Sequence, residues 1–223
     1  RSVSRGLGDV YKRQKMDKEL IKGLIAEYQQ FVKSVSFVKR AVTLSDNFNY
    51  VFVGLRRVGK SYLMYQQIHH LIETGISPEE ILFFNFEDER IAGMDTEHLD
   101  MIKRCYEEMY SHRPIFFLDE IQIVPHWEQF VRRLADQKYR VYVTGSNAKM
   151  LSKDIATTLG GRFMIQYVYP FSFREYLSSN GVQLDKLWIY KNRSEVVRHF
   201  DTYFRFGGLP ELLVACLLYT SDA

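Results

Sequence analysis

Residues 54 to 61 read GLRRVGKS: two glycines separated by four residues, then a lysine and a serine. That spacing suits the binding of phosphate groups. Glycine lets the backbone curl so that successive N–H groups face one anion, and a helix beginning at the lysine aims its positive end at the same charge. The ammonium of Lys60 is then placed to bridge the β- and γ-phosphates of a nucleoside triphosphate, and the hydroxyl of Ser61 is a hard oxygen donor for Mg²⁺. Gly54, Arg57, Val58, Gly59 and Tyr62 complete the expected cradle. Arg56 and Arg57 either lean on phosphates or stay solvated.

A second chemical signal is IFFLDEIQ at 115 to 122, four apolar residues followed by an acid pair. Asp119, at the end of such a strand, is expected to reach the Mg²⁺, and Glu120 to orient and deprotonate the water that attacks the γ-phosphate. Taken alone, the pair would more often cap the helix that follows. Its pairing with the phosphate loop favours the chemical role. A hydrolytic carboxylate argues against small-molecule kinases, and the lack of an NKxD-like tetrapeptide argues against guanine, which leaves ATP as the expected nucleotide. VYVTGSN at 141 to 147 offers Ser146 or Asn147 to the γ-phosphate or the attacking water, unless the run is only a polar turn. Arg162 is a candidate for stabilising developing charge, on its own nucleotide or on a neighbouring subunit's; a surface ion pair is the alternative.

These side chains need a scaffold that brings strand ends together. Tyr50 to Val53, ILFFNF at 81 to 86, IFFL at 115 to 118 and VYVT at 141 to 144 are short apolar runs without alternation, as expected of strands covered on both faces. FMIQYV at 163 to 168 predicts a fifth. Helical patterns fall between them, at 60 to 74, 96 to 110, 126 to 137 and 149 to 159. Strands alternating with helices at this spacing predict a parallel sheet with right-handed crossovers. Before the first strand, an apolar stripe from Leu20 to Val35 predicts an amphipathic helix. After the last, FREYL at 173 to 177 and a stretch near 194 to 206 predict further helices.

Composition sets the outer bounds. The 223 residues suit one α/β domain with an appendage, and 46% hydrophobic with 26% charged residues is ordinary globular usage. No run of about 18 apolar residues occurs, so a membrane span is not expected and a cytoplasmic location is. Cys105 and Cys216 are too few and too far apart for a disulfide framework or a metal site. Residues 1 to 14 and 216 to 223 resemble translated sequencing-adaptor read-through, so the native stretch is expected to run from about 16 to 215 and to be cut off there. Residues 1 to 15 and 216 to 223 together hold five basic and two acidic side chains; without them 30 basic and 27 acidic residues become 25 of each. A neutral core gives no support to nucleic acid as a partner, despite Arg56-Arg57 and Arg132-Arg133.

Six ordered motifs between about 54 and 211 resemble a family: AAA-type P-loop ATPases related to archaeal ATPases, found in bacteria with an uncharacterised C-terminal domain. They are GLRRVGKS, FFLDEIQ with HWEQFVRRLAD, VTGSN, LGGRF, YPFSFREYL and YFRFGGLPE. The resemblance implies a P-loop NTPase three-layer α/β sandwich with parallel sheet order 5-1-4-3-2, an N-terminal helix and a small C-terminal helical region. It implies an ATPase core over 16–170 and a helical appendage over 171–215. It places Gly54, Gly59, Lys60 and Ser61 on phosphates and Mg²⁺, Asp119 on the metal, Glu120 on the water, Ser146 or Asn147 as sensor and Arg162 as candidate finger. Pro210, in GGLP, would lie against the adenine; read from the residues alone, GGLP is only a turn. The expectation is therefore a Mg²⁺-dependent ATP hydrolase that drives a conformational change, with a homo-oligomer or a protein partner possible. A slow nucleotide switch and a DNA-associated ATPase are the alternatives.

Overall fold

The computed structural model describes residues 17–146, 157–182 and 184–211. Five strands form one sheet: β1 (Asn49–Val53), β2 (Ile81–Asn85), β3 (Ile115–Asp119), β4 (Val141–Gly145) and β5 (Phe163–Tyr167). All described pairings are parallel and the order is β2-β3-β4-β1-β5, the arrangement the resemblance implies. The helix α1 (Lys18–Ser34) precedes the sheet, and α2 (Lys60–Glu73), α3 (Thr96–Met109) and α4 (Trp127–Asp136) lie within its span of sequence. Short helices α5 (Phe173–Ser179), α6 (Lys186–Lys191) and the longer α7 (Arg193–Phe206) follow it. The helix expected at 149 to 159 falls largely outside the described residues. The helix α6 is not anticipated by the sequence pattern, because six residues are too few to show a period.

Aromatic rings show how the layers are built. In register across the sheet stand Phe83, Phe117, Tyr142 and Tyr50, all on one face. Phe117 and Tyr142 stack with centroids 4.4 Å apart, and Tyr65 of α2 closes on Phe83 at 5.4 Å. The opposite face carries Phe116, whose ring meets Phe130 of α4 edge-on. Helices therefore cover both faces, which is why the strands read as unbroken apolar runs.

The helix α1 has a different task. Phe83 and Phe84 are consecutive in β2 and so point to opposite faces, yet Tyr28 of α1 meets both rings edge-on, at 5.8 and 5.6 Å. It lies along the sheet's β2 edge. Gln29 donates to the carbonyl of Ile81 at 3.0 Å, satisfying an acceptor of a strand that has no neighbour on that side. Asp17 caps the helix by accepting from the Glu19 amide.

The main core runs from Ile21 to Val168, and a second, smaller cluster gathers Phe171, Tyr176, Leu177 and Val182 under Tyr203 of α7. Within the smaller cluster, the Phe171 amide donates to the carbonyl of Gly208 at 2.7 Å, and the Tyr203 hydroxyl donates to the carbonyl of Phe171 at 2.6 Å. A side chain at Gly208 would meet the Phe171 carbonyl at 2.2 Å, so only glycine allows this approach. Because Phe117 is fully buried at the centre of the ring row, Phe117→Ala should lower unfolding free energy by about 3–5 kcal/mol, measured by urea titration.

Candidate functional site

Parallel strands end on the same side, so the loops after β1, β3 and β4 converge on one edge of the sheet. The loop after β1 turns at Gly54, where an added Cβ would lie 2.4 Å from the carbonyl of Val168 beyond β5. A backbone atom cannot give way there, so the first glycine of the motif is a steric requirement. Gly59 has φ of 92°, a left-handed conformation at the entry to α2 that other residues adopt only under strain. Val58 is fully buried and pins the loop to the core.

Lys60 opens α2 and is buried, 4% exposed, with its ammonium folded back over the loop. It donates to the carbonyl of Leu55 at 3.0 Å and lies 3.7 Å from Oε1 of Glu120. Glu120 follows β3 with φ of 52°, again left-handed, and its carboxylate is held from the other side. The Ser146 hydroxyl donates to Oε2 at 2.8 Å, and Gln122 donates to the same oxygen. The acid is thus held by three groups, from the segments that follow β3 and β4 and from α2.

Asp119 is the most buried carboxylate of the site, 3% exposed at the end of β3. Loss of solvent pushes its pKa up from 3.8 to about 6; hydrogen bonds from Thr144 and Ser61 act against that, the nearby Glu120 charge adds to it and Lys60 opposes it. Thr144 is the member that sequence reasoning missed. Fully buried in β4, its hydroxyl donates to Asp119 Oδ1 at 2.5 Å and accepts from the Glu120 amide at 2.8 Å. It stands inside VYVTGSN, two positions before Ser146, and a hydroxyl in an otherwise apolar strand was the available signal.

The structure therefore brings together Gly54, Val58, Gly59, Lys60, Ser61, Asp119, Glu120 and Ser146. Tyr62 is half exposed on α2 and packs edge-on against Tyr65. Arg56 and Arg57 are exposed and face surface acids, Glu87 at 3.7 Å and Glu211 at 3.1 Å. Pro210 does approach the loop: its Cγ lies 4.0 Å from where a Cβ of Gly59 would be. Asn147 lies outside the described residues.

Arg162 is not brought to the loop. It precedes β5, whose first residue Phe163 is in register with Asn49 at the start of β1, whereas the phosphate loop follows Val53. A strand of five residues at roughly 3.3 Å per residue separates the two ends. Within one chain the reading of Arg162 as a finger on its own nucleotide is therefore corrected: its guanidinium donates to Asp136 and to the carbonyl of Gly160.

A parallel sheet in this order, with a glycine loop entering a helix at the end of β1 and an acid pair at the end of β3, defines a P-loop nucleotide-binding protein. The chain belongs to the AAA domain family, whose model matches residues 46–177. It is 31% identical over 197 residues to an uncharacterized protein of Methanocaldococcus jannaschii, covering 87% of this chain and 43% of that protein. An uncharacterized protein of Haemophilus influenzae is 34% identical over 184 residues, covering 81% of this chain and 44% of the other. The chain thus spans less than half the length of these relatives. Among solved structures, the Saccharomyces cerevisiae Hsp104–ADP complex shares the fold, with a TM-score of 0.51 at 15% identity over 88% of this chain and 29% of that one. Among the described residues no helix is long and apolar enough to cross a membrane.

The raised pKa of Asp119 has a thermodynamic consequence. Between about pH 4 and pH 6 the folded chain holds a proton that the unfolded chain has released, so stability falls as pH rises through that window and then levels. Asp119→Asn should abolish this fall and, without nucleotide or metal, stabilise the fold at pH 7 by up to about 3 kcal/mol. Denaturant titrations across that pH range measure both effects.

Proposed function

We propose that this chain binds Mg²⁺-ATP and hydrolyses it to ADP and phosphate. The observation that carries the reading is the convergence of Lys60, Ser61, Asp119, Glu120 and Ser146 at the end of one glycine loop. The donor set fits a magnesium ion. Asp119 and the Ser61 hydroxyl are hard oxygens in contact, and Asp119 is a carboxylate that burial alone disfavours as a charge. Those two residues would hold the metal, which when bound supplies positive charge to the phosphate oxygens.

The remaining work falls to the chain. Loop amides from Gly54 to Ser61 hold the phosphates, and Lys60 exchanges Glu120 for the outer phosphate oxygens. Glu120 then accepts a proton from the attacking water as that oxygen bonds to the γ-phosphorus and the bond to the β–γ bridging oxygen breaks. Thr144 fixes the backbone of Glu120, and Ser146 sets the direction of its carboxylate. Pro210, beside the loop, supports an adenine-facing position for the GGLP turn.

Two observations favour slow turnover serving as a switch for protein partners. Glu120 is held at both carboxylate oxygens, by Ser146 and Gln122 on one and near Lys60 on the other, so it must be released before it acts. The loop also touches the segment after α7, through the exposed pair of Arg57 and Glu211 at 3.1 Å. A switch reading predicts partner affinity that differs between ATP and ADP.

Glu120→Gln should retain ATP binding and lose most turnover, about 100-fold or more, whereas Lys60→Ala should weaken binding itself; equilibrium titration and phosphate release separate the two. Normal phosphate release by Glu120→Gln would overturn the role given to that carboxylate. Arg162, at the far edge of the sheet, would meet a nucleotide only in a neighbouring copy. If it does, Arg162→Ala lowers turnover by about tenfold or more with ATP affinity unchanged, and wild-type turnover per chain rises with protein concentration. Concentration-independent turnover, unaffected by the substitution, would leave Arg162 as the partner of Asp136 alone.

A further inference from the structure

Arg40 lies in the irregular segment between α1 and β1 and plays no part in the chemistry above, yet it is only 8% exposed. Its guanidinium is used in three directions. Nε donates to Oε1 of Glu175 at 2.8 Å, Nη2 to the carbonyl of Tyr169 at 2.6 Å, and Nη1 to the carbonyl of Val58, inside the phosphate loop, at 3.3 Å. The plane lies over the ring of Phe171, 4.8 Å from its centroid. Even its backbone is clamped, because Gln66 of α2 accepts from the Arg40 amide at 2.6 Å and donates to its carbonyl at 3.1 Å. Burying a guanidinium is costly unless its donors are satisfied in a fixed geometry, so this arrangement holds Arg40 in one place.

The contact with Val58 decides what that fixed place does. A trans peptide points its C=O and its following N–H in opposite directions, and the described chain has no cis peptide. With the Val58 carbonyl held toward Arg40, the Gly59 N–H is turned away from the guanidinium. We infer that Arg40 is a positioning residue of the phosphate loop: it presets the Val58–Gly59 peptide so that the Gly59 N–H faces the phosphates. Through Tyr169, Phe171 and Glu175 it also makes the shape of that loop depend on the seating of the C-terminal helices. The inference rests on the nucleotide reading above. Arg40 touches neither Glu120, Thr144 nor Ser146, so its effect belongs to binding and not to the chemical step.

The test uses the whole chain with Arg40→Lys, which keeps the charge but replaces a three-way planar fork by a single ammonium. Titration with a fluorescent ATP analogue, competed by ATP and by ADP, should show affinity for both nucleotides weakened about tenfold, the scale of one lost hydrogen bond to a charged group. Turnover at saturating ATP should stay within about twofold of wild type, because the groups around the γ-phosphate are untouched. Unchanged affinity together with a lower melting temperature would overturn the inference and leave Arg40 a purely structural cation. If Arg40→Lys does not fold, Glu175→Gln loosens the same guanidinium from one side; it should weaken binding in the same direction, and wild-type affinity in that variant would overturn the inference equally. The Gly59 amide resonance in nucleotide-free protein separates this inference from the function on which it rests. A shift in the variant supports the preset peptide even if wild type bound no ATP, whereas an unmoved resonance overturns it even if ATP binding and hydrolysis are sound.

Discussion

The hydroxyl of Thr144 joins the ends of two neighbouring strands by giving its proton to Asp119 and taking one from the amide of Glu120. Without that link, the buried carboxylate would keep only the Ser61 hydroxyl, and the left-handed turn at Glu120 would lose the partner of its amide. The parallel sheet makes the link possible, because β3 and β4 run in register and finish side by side. The rings of Phe117 and Tyr142 stack on those same two strands and pack their interior. Chemistry at the edge is therefore positioned by packing in the interior.

The site is held against the preferences of its own parts. Asp119 would be more stable protonated or in water, Glu120 sits at a backbone angle that favours glycine, and Gly54 tolerates no side chain. Each departure is confined to one edge of the sheet, while β1 to β4 bury their apolar residues on both faces. The free strand edge at β2 is treated separately, by laying α1 along it and satisfying a carbonyl with Gln29. Such a division lets one region be strained while the rest carries the stability.

Much of this was legible in the residues. Apolar runs without alternation marked all five strands to within a residue or two, and the glycine spacing marked the loop between a strand and a helix. The strand order, by contrast, came from family resemblance, since periodicity cannot say which strands are neighbours. What stayed hidden was contact between residues far apart in the chain. Arg40 reaches Tyr169 and Glu175 across more than a hundred positions, and its segment has neither a motif nor a period to draw attention to it. Thr144 looked like one more strand residue until its hydroxyl was seen to face two groups on β3. Arg162 teaches the opposite lesson. Its place just before a parallel strand was enough to put it at the edge away from the loop, and the chemical appeal of a guanidinium hid that geometric fact.

Lys60 and Glu120, 3.7 Å apart, give the lysine a resident counter-ion before any nucleotide arrives. An incoming anion does not meet a bare positive charge; it must outbid a tethered carboxylate whose local concentration is fixed by the fold. A singly charged ion such as chloride merely trades one partner for another and gains little. A polyphosphate brings several negative oxygens at once and can satisfy both the lysine and the loop amides. The pairing therefore acts as a threshold on charge, so that in a medium crowded with small anions the loop responds to the number of charges a ligand carries before it responds to its shape.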